Sequence, residues 1–222
     1  MASYLILGAG KFGRLALGRL AEKDREARFL IIDQQAEALA EARTLVVAAA
    51  EMLEGEAIPY LAAHLGTESP WDWLVPMVPE HVAYAWLLTG PLAGQGWEPA
   101  DVPGDLANLA ASSITGPDGE LYLSLARHLC PDDCAEPHVC PVSGEERQQP
   151  LFDKLAETSR PERPVLVVAS RQLAPGVGGY SPRELVKLAE TVAEAPGPLL
   201  VATACCCHGV VHGLKRKGER PA

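Results

Sequence analysis

Positive charge is what this sequence has little of. Its 222 residues carry 19 Lys and Arg against 29 Asp and Glu, a formal net charge of −10. An acidic surface neither replaces the counterions of a nucleic acid nor adheres to an anionic membrane, so both functions are set aside. Long hydrophobic runs are missing too. The longest uncharged stretch, Ala195 to Leu214, is broken by Pro196, Gly197, Pro198, His208, Gly209, His212 and Gly213, a poor transmembrane helix. No basic segment precedes the first apolar run, so an export signal is not expected and a cytoplasmic location is. Repeats and low-complexity tracts are absent as well.

What is present is ordinary globular composition, 48% hydrophobic and 22% charged, enough to bury a core without disulfides. At about 150 residues per domain, the length suits one enlarged domain or two small ones.

The first third alternates strand and helix. Tyr4-Leu5-Ile6-Leu7 is a short buried run that ends in Gly8-Ala9-Gly10-Lys11-Phe12-Gly13. Leu15, Leu17, Leu20 and Ala21 follow at helical spacing, and Phe29-Leu30-Ile31-Ile32 is a second strand closed by Asp33. Strands are expected at 4–7, 29–32, 44–48, 72–75, 165–169 and 199–203, with helices over 56–65, 80–88, 151–158 and from Ser181. Ser112–Thr115 and Leu121–Ser124 flank Gly116-Pro117-Asp118-Gly119 and read as a hairpin. The last strand is expected to lead into a short helix near Lys215. Six strands with crossover helices predict an α/β protein with a doubly wound parallel sheet, a Rossmann fold of order 3-2-1-4-5-6. Residues 1–90 would form the NAD-binding core, 91–163 an insertion holding the hairpin and cysteines, and 164–222 strands five and six. A small second α/β domain is the alternative.

Gly8-x-Gly10-x-x-Gly13 stands where a dinucleotide fingerprint must stand. The first glycine allows the turn, the second lets the backbone approach a pyrophosphate, and the third lets helix and strand pack closely. Asp33, 20 residues after Gly13, is placed to accept ribose hydroxyls and to repel a 2′-phosphate, which favours NAD. Lys11 and Phe12 complete the turn, and Val78 and Pro79 after strand four are expected on the nicotinamide side. His81 is a weaker candidate facing substrate. Trp71 and Trp73 read as packing residues.

The segments Ile6 to Arg14 and Ile31-Ile32-Asp33 resemble the N-terminal NAD-binding domain of TrkA-type potassium-uptake regulators and of oxidoreductases such as saccharopine dehydrogenase. The resemblance covers roughly the first 90 residues and implies NAD(H) held by Gly8, Gly10, Gly13 and Asp33. The second half departs from both and resembles an uncharacterised bacterial cysteine-containing group grouped with TrkA through its first half.

Cys130-x3-Cys134-x5-Cys140 places three cysteines in a Pro/Asp-rich loop, poor material for a core. Cys205-Cys206-Cys207-His208 follows the last expected strand. In extended chain Cys205 and Cys207 share one face and Cys206 points away. Cys130, Cys134 and Cys140 with Cys205 or Cys207 would supply four thiolates for an iron–sulfur cluster or zinc, although the spacing matches neither ferredoxin patterns nor paired zinc knuckles. His128, His138 and His208 are substitute ligands. Free redox thiols are the other reading. Ala174 to Tyr180, with three glycines before Ser181, reads as an anion-cradling loop. Asp132, Asp133, Glu145 and Glu146 read as solvated charges.

These features point to an NAD(H)-binding oxidoreductase with a cysteine metal or redox site. The alternative is a TrkA-like regulatory subunit that senses NAD or redox state, with the metal structural. The expected partners are a dinucleotide and a small-molecule or protein redox partner, and a homodimer is allowed for.

Overall fold

The computed structural model describes residues 1–45, 47 and 49–218. The first unit alternates strands and helices: β1 (Ser3–Leu7), α1 (Lys11–Lys23), β2 (Arg28–Asp33), α2 (Ala36–Arg43), β3 (Ala50–Glu54), α3 (Ala57–His64), β4 (Trp73–Pro76) and α4 (Val82–Thr89). The four strands pair in parallel in the order β3-β2-β1-β4. Helices cover both faces, which is why β1 is buried throughout and reads as an unbroken apolar run. Leu5 and Leu7 face one core and Tyr4 and Ile6 the other. Trp71 and Trp73 pack against these cores.

The third strand differs from expectation. Thr44 and Leu45 form a turn after α2, Val46 and Ala48 lie outside the described residues, and the strand is Ala50–Glu54. It is an edge strand with Glu51 and Glu54 exposed, so the more apolar stretch before it was the stronger signal in the sequence.

The second unit contains β5 (Trp97–Ala100), a 3-10 turn at Gly104–Leu109, β6 (Ser112–Thr115), β7 (Leu121–Ser124), α5 (Leu151–Glu157), β8 (Val165–Ala169), β9 (Arg171–Ala174), β10 (Val177–Gly179), α6 (Pro182–Glu194), β11 (Leu199–Ala204) and β12 (His208–Arg216). Strands β6-β7-β12-β11-β8 form a mixed sheet, and β5 pairs with the second half of β12. Only β8 and β11 run parallel there.

The expected single sheet of order 3-2-1-4-5-6 is therefore not formed. Its first four positions hold, but the strands at 165–169 and 199–204 belong to the second sheet. Two physical causes act together. The segment expected to be a terminal helix is β12, joined to β11 by a tight turn in which Cys205 N–H donates to the His208 carbonyl at 2.8 Å, and this hairpin recruits β8 and β7. The free edge of β4 is meanwhile occupied: Leu74 and Tyr180 exchange backbone hydrogen bonds of 2.9 and 3.0 Å, in an antiparallel bridge at the end of the β9–β10 hairpin. Residues 91–163 are likewise not an insertion within one sheet, because they supply β5, β6 and β7 to the second.

The β9–β10 hairpin replaces the expected anion-cradling loop. A Cβ on Gly179 would lie 2.7 Å from the Leu74 carbonyl oxygen, so this glycine permits close packing. Ser181 is spent on its helix: it accepts the Arg183 N–H while Glu184 accepts the Ser181 N–H, a reciprocal cap worth about 0.5–2 kcal/mol.

One core joins the two units. Leu5, Leu7 and Leu74 pack with Val168, Val201 and Leu214 beneath α3, α4 and α6. A polar knot is buried in this contact. His81, at the start of α4, shares a 2.9 Å hydrogen bond with His212 through the two Nδ1 atoms, and its Nε2 is 2.9 Å from Thr203 Oγ1. Tyr84 stacks on His212. His81 is thus turned into the protein rather than toward substrate.

Burial first, and then His212, hold the His81 imidazole down to about 3 from an ordinary 6.5. The unfolded chain takes up this proton below about pH 6.5 and the folded chain does not, so acid favours unfolding between about pH 6.5 and 3. The unfolding free energy measured in urea should fall with pH in that window, by up to about 1.4 kcal/mol per pH unit from this group. His81→Gln should flatten the slope, and an equally steep variant would assign the acid sensitivity elsewhere.

Candidate functional site

The glycine turn sits at the carboxyl end of the parallel sheet. Gly8 has φ +103°, and its N–H donates to the Ile32 carbonyl at 2.7 Å. A Cβ there would lie 2.7 Å from the Met77 carbonyl oxygen, and a Cβ on Gly13 would run into the Gly8 carbonyl. Packing alone accounts for both glycines. Gly10 is different, because a Cβ there would meet nothing within 4 Å. Gly10 also precedes α1, whose first turn has no side-chain cap and no acidic residue, so its N–H groups are available to an anion.

Gly8 and Gly10 line a cavity of about 560 Å³ together with Asp33, Gly55, Val78 and Pro79. One Asp33 oxygen accepts the Ala9 N–H at 2.6 Å and the other the Gln35 N–H at 2.8 Å. A carboxylate has about four acceptor sites, so it positions the glycine turn and keeps capacity for a ligand's hydroxyls. Lys11 and Phe12 turn to the other side of the glycine loop. Lys11 Nζ is 2.5 Å from Asp132 Oδ2, and the half-exposed Phe12 ring lines a second cavity.

That second cavity, of about 520 Å³, holds the cysteines. Cys130, Cys134, Cys205, Cys207 and His208 line it. An adjoining cavity of about 290 Å³ is lined by Cys140, Cys130 and Cys207. His128, Cys130, Arg147 and Cys207 border both, so five thiols from two chain-distant loops face one divided basin. Cys206 lines neither. The separation of Cys206 from its neighbours arises in a reverse turn, not in extended chain. His138 points to Glu146 at 4.0 Å, outside both cavities.

Hydrogen bonds reach several of the sulfurs, and burial opposes charge on most of them. Cys205 Sγ accepts backbone N–H groups from Cys207 and His208, at 3.5 and 3.4 Å. Cys140 Sγ is held in the same manner by the N–H of Ser143, then its hydroxyl, then the N–H of Val142, which lowers the thiol to about 6. Arg147 Nε donates to Cys207 Sγ at 2.9 Å, a second N–H points at Cys134 Sγ at 3.7 Å, and a third group reaches the Pro137 carbonyl. Cys130 Sγ lies 3.7 Å from His208 Nε2 and Cys140 Sγ 3.6 Å from His128 Nε2. Burial, and Glu136 beside them, push Cys205 and Cys206 up to about 12. Among the described residues, no three Cys, His, Asp or Glu side chains converge as a single ion would require.

The two sites share a wall. Asp132, read from sequence as a solvated charge, is a strap: its side chain takes Lys11, and its carbonyl accepts Arg19 at 2.8 Å. Arg19 also donates to Pro175 O, while Gln172 Nε2 and the Gly176 N–H both donate to Cys134 O. The cysteine loop is thereby fastened to α1 and to the β9–β10 hairpin. The strap, not a shared six-strand sheet, sets the two sites side by side.

The family model that matches, described as "Uncharacterized protein, C-terminal domain", covers residues 76–217, from the end of β4 through β12. The chain belongs to this AF_1314_C family. An "Uncharacterized protein" from Archaeoglobus fulgidus is 33% identical over 222 residues, covering 96% of this chain and 99% of that one. No solved structure matches. These findings overturn the resemblance to TrkA-type regulators and saccharopine dehydrogenase, because neither family matches and the family that does is defined by the second unit. The glycine turn carried that resemblance, and a strand–glycine–helix–strand–acid run occurs in many unrelated chains.

Arg147, Gly55, Gln172 and Ser170 escaped the sequence reading. Gly55 was hidden by the misplaced third strand. Arg147 lay seven residues past Cys140 in a loop with no periodicity to place it.

The glycines separate by substitution. Gly13→Ala should destabilise by about 1–3 kcal/mol through overpacking, whereas Gly10→Ala should stay within about 0.5 kcal/mol of the parent. Chemical denaturation measures both, and equal losses would remove the distinction.

Proposed function

We propose that the protein binds an NAD-type dinucleotide in the crevice between Gly8, Asp33 and Val78, and that it is an oxidoreductase passing electrons between nicotinamide and the cysteine basin. The observation that carries this reading is Gly10: a glycine with open space before it, at the mouth of an uncapped helix, with Asp33 across the crevice. A diphosphate fits the helix terminus and ribose hydroxyls fit the carboxylate. Val78 and Pro79 border the nicotinamide end. The glycine loop is the wall between this crevice and the cysteines, which supports a short electron path.

The Lys11–Asp132 ion pair favours a second reading. Lys11 follows Gly10 directly, so a diphosphate held by the N–H groups of that turn acts on the same segment that carries the strap on the Cys130–Cys134 loop. A regulatory subunit that reads NAD or redox state would use that coupling without turnover. No described helix is long and apolar enough to cross a membrane.

Calorimetry with NADH, NADPH and ADP-ribose tests the binding. NADH and ADP-ribose should bind alike, with NADPH weaker because Asp33 repels a 2′-phosphate. Asp33→Asn should weaken NADH by roughly 10–100-fold, from losing about 1.5–3 kcal/mol of charge-assisted hydrogen bonding. Gly10→Leu should abolish binding while the fold persists, and unchanged affinity in that variant would refute the crevice. Oxidation of NADH by an artificial acceptor under anaerobic conditions separates the enzyme from the sensor.

A further inference from the structure

The cysteine basin has a geometry more specific than a general metal or redox site. A single tetrahedral ion draws its donors to about 2.3 Å from one point. The side chains do not gather that way among the described residues. The sulfurs stand around the walls of a divided space instead, with Cys130 and Cys207 in the partition and Cys134, Cys205 and Cys140 beyond it. A multi-atom inorganic core meets ligands spread out in this way, because the core itself spans the gap between them.

Two further features place hydrogen-bond donors on the sulfurs. Cys140 and Cys205, in loops distant in sequence, each accept N–H groups from the residues two and three positions later. Such amides stabilise a ligating thiolate. Arg147 reaches both Cys207 and Cys134, and offsets part of the negative charge that several thiolates bring to one place. An arginine so placed suits a polynuclear centre with room beside it, since the two cavities measure about 520 and 290 Å³.

We propose that this basin binds an iron–sulfur cluster rather than a single ion. Its ligands come from Cys130, Cys134, Cys140, Cys205 and Cys207, with Cys130 and Cys207 indispensable and Cys206 excluded. Arg147 donates hydrogen bonds to the cluster's thiolates and raises its reduction potential. The inference refines the redox centre of the proposed function and rests on that reading only for the use made of the electrons.

The test uses the full chain, purified without oxygen and reconstituted with ferrous iron and sulfide. Iron and acid-labile sulfide should bind together, with a broad visible absorption band that bleaches on reduction. Cys130→Ser and Cys207→Ser should lose both elements, and Cys206→Ser should retain them. Circular dichroism confirms that each variant is folded. Arg147→Gln should keep the cluster with a more negative potential, because hydrogen bonds to the sulfurs raise it. Iron without sulfide, zinc alone, no metal, or equal loss in Cys206→Ser and Cys207→Ser would each overturn the cluster. An unchanged potential in Arg147→Gln would overturn the role of the arginine. Nucleotide affinity is read on the same samples: a chain that binds NADH but no iron and sulfide loses the cluster alone, and a chain that loads iron and sulfide but binds no NADH loses the crevice alone.

Discussion

The antiparallel bridge between Leu74 and Tyr180 is the constraint on which the arrangement turns. A parallel sheet of order 3-2-1-4 has an open edge at its fourth strand, and a fifth parallel strand would ordinarily extend it. Here Tyr180 supplies the missing donor and acceptor, and its ring is buried in the shared core. The sheet is closed after four strands, so later strands must build their own. The same bridge fixes the β9–β10 hairpin beside α1, where its turn supports the Cys130–Cys134 loop. One closed edge thus explains both the two-sheet architecture and the placement of the cysteines next to the glycine turn.

The two candidate sites differ in how their parts are held. The crevice is made of contacts between directly paired strands and their turns: Gly8 against Met77, Gly13 against Gly8, and Asp33 on the Ala9 amide. All but the Met77 contact exist within the β1-α1-β2 unit, and Met77 follows β4, the strand paired directly with β1. The basin is made of long-range contacts, with its loop strapped by Lys11, Arg19, Gln172 and Gly176 and facing a turn contributed more than sixty residues later. The strap is an exposed ion pair joined to backbone hydrogen bonds, so the exposed charge pair itself contributes little to stability. Its consequence is positional, since it makes the nucleotide helix and the cysteine loop neighbours.

The family relation covers the second unit through β12, and the relative from Archaeoglobus fulgidus aligns across nearly the whole chain. The correction to the TrkA-type resemblance follows from where the signal lay. A glycine fingerprint reports a turn and a helix terminus, and these recur wherever a parallel strand feeds a helix.

Local features of the sequence determined a good part of this protein. The runs at Tyr4–Leu7, Phe29–Ile32 and Trp73–Pro76, the Asp-Gly hairpin and the Ser181 cap are decided by near neighbours, and each appears where hydrophobic run length and turn chemistry put it. Gly8, Gly10 and Asp33 come together for the same reason, because a βαβ unit has one way to fold, and Val78 and Pro79 join them through the parallel pairing of β4 with β1. What lay beyond the sequence was pairing. His208–Arg216 mixes polar residues and glycines in a pattern that suits a helix end as well as a strand, and only β11, β7 and β5 on either side make it a central strand. Ala50–Glu54 is a strand because β2 offers it an edge, despite its charge. The basin needed tertiary structure altogether: Arg147 and the two cysteine groups have no periodicity to relate them, and the β9–β10 hairpin that brings them together depends on a bridge to a strand about a hundred residues earlier in the chain.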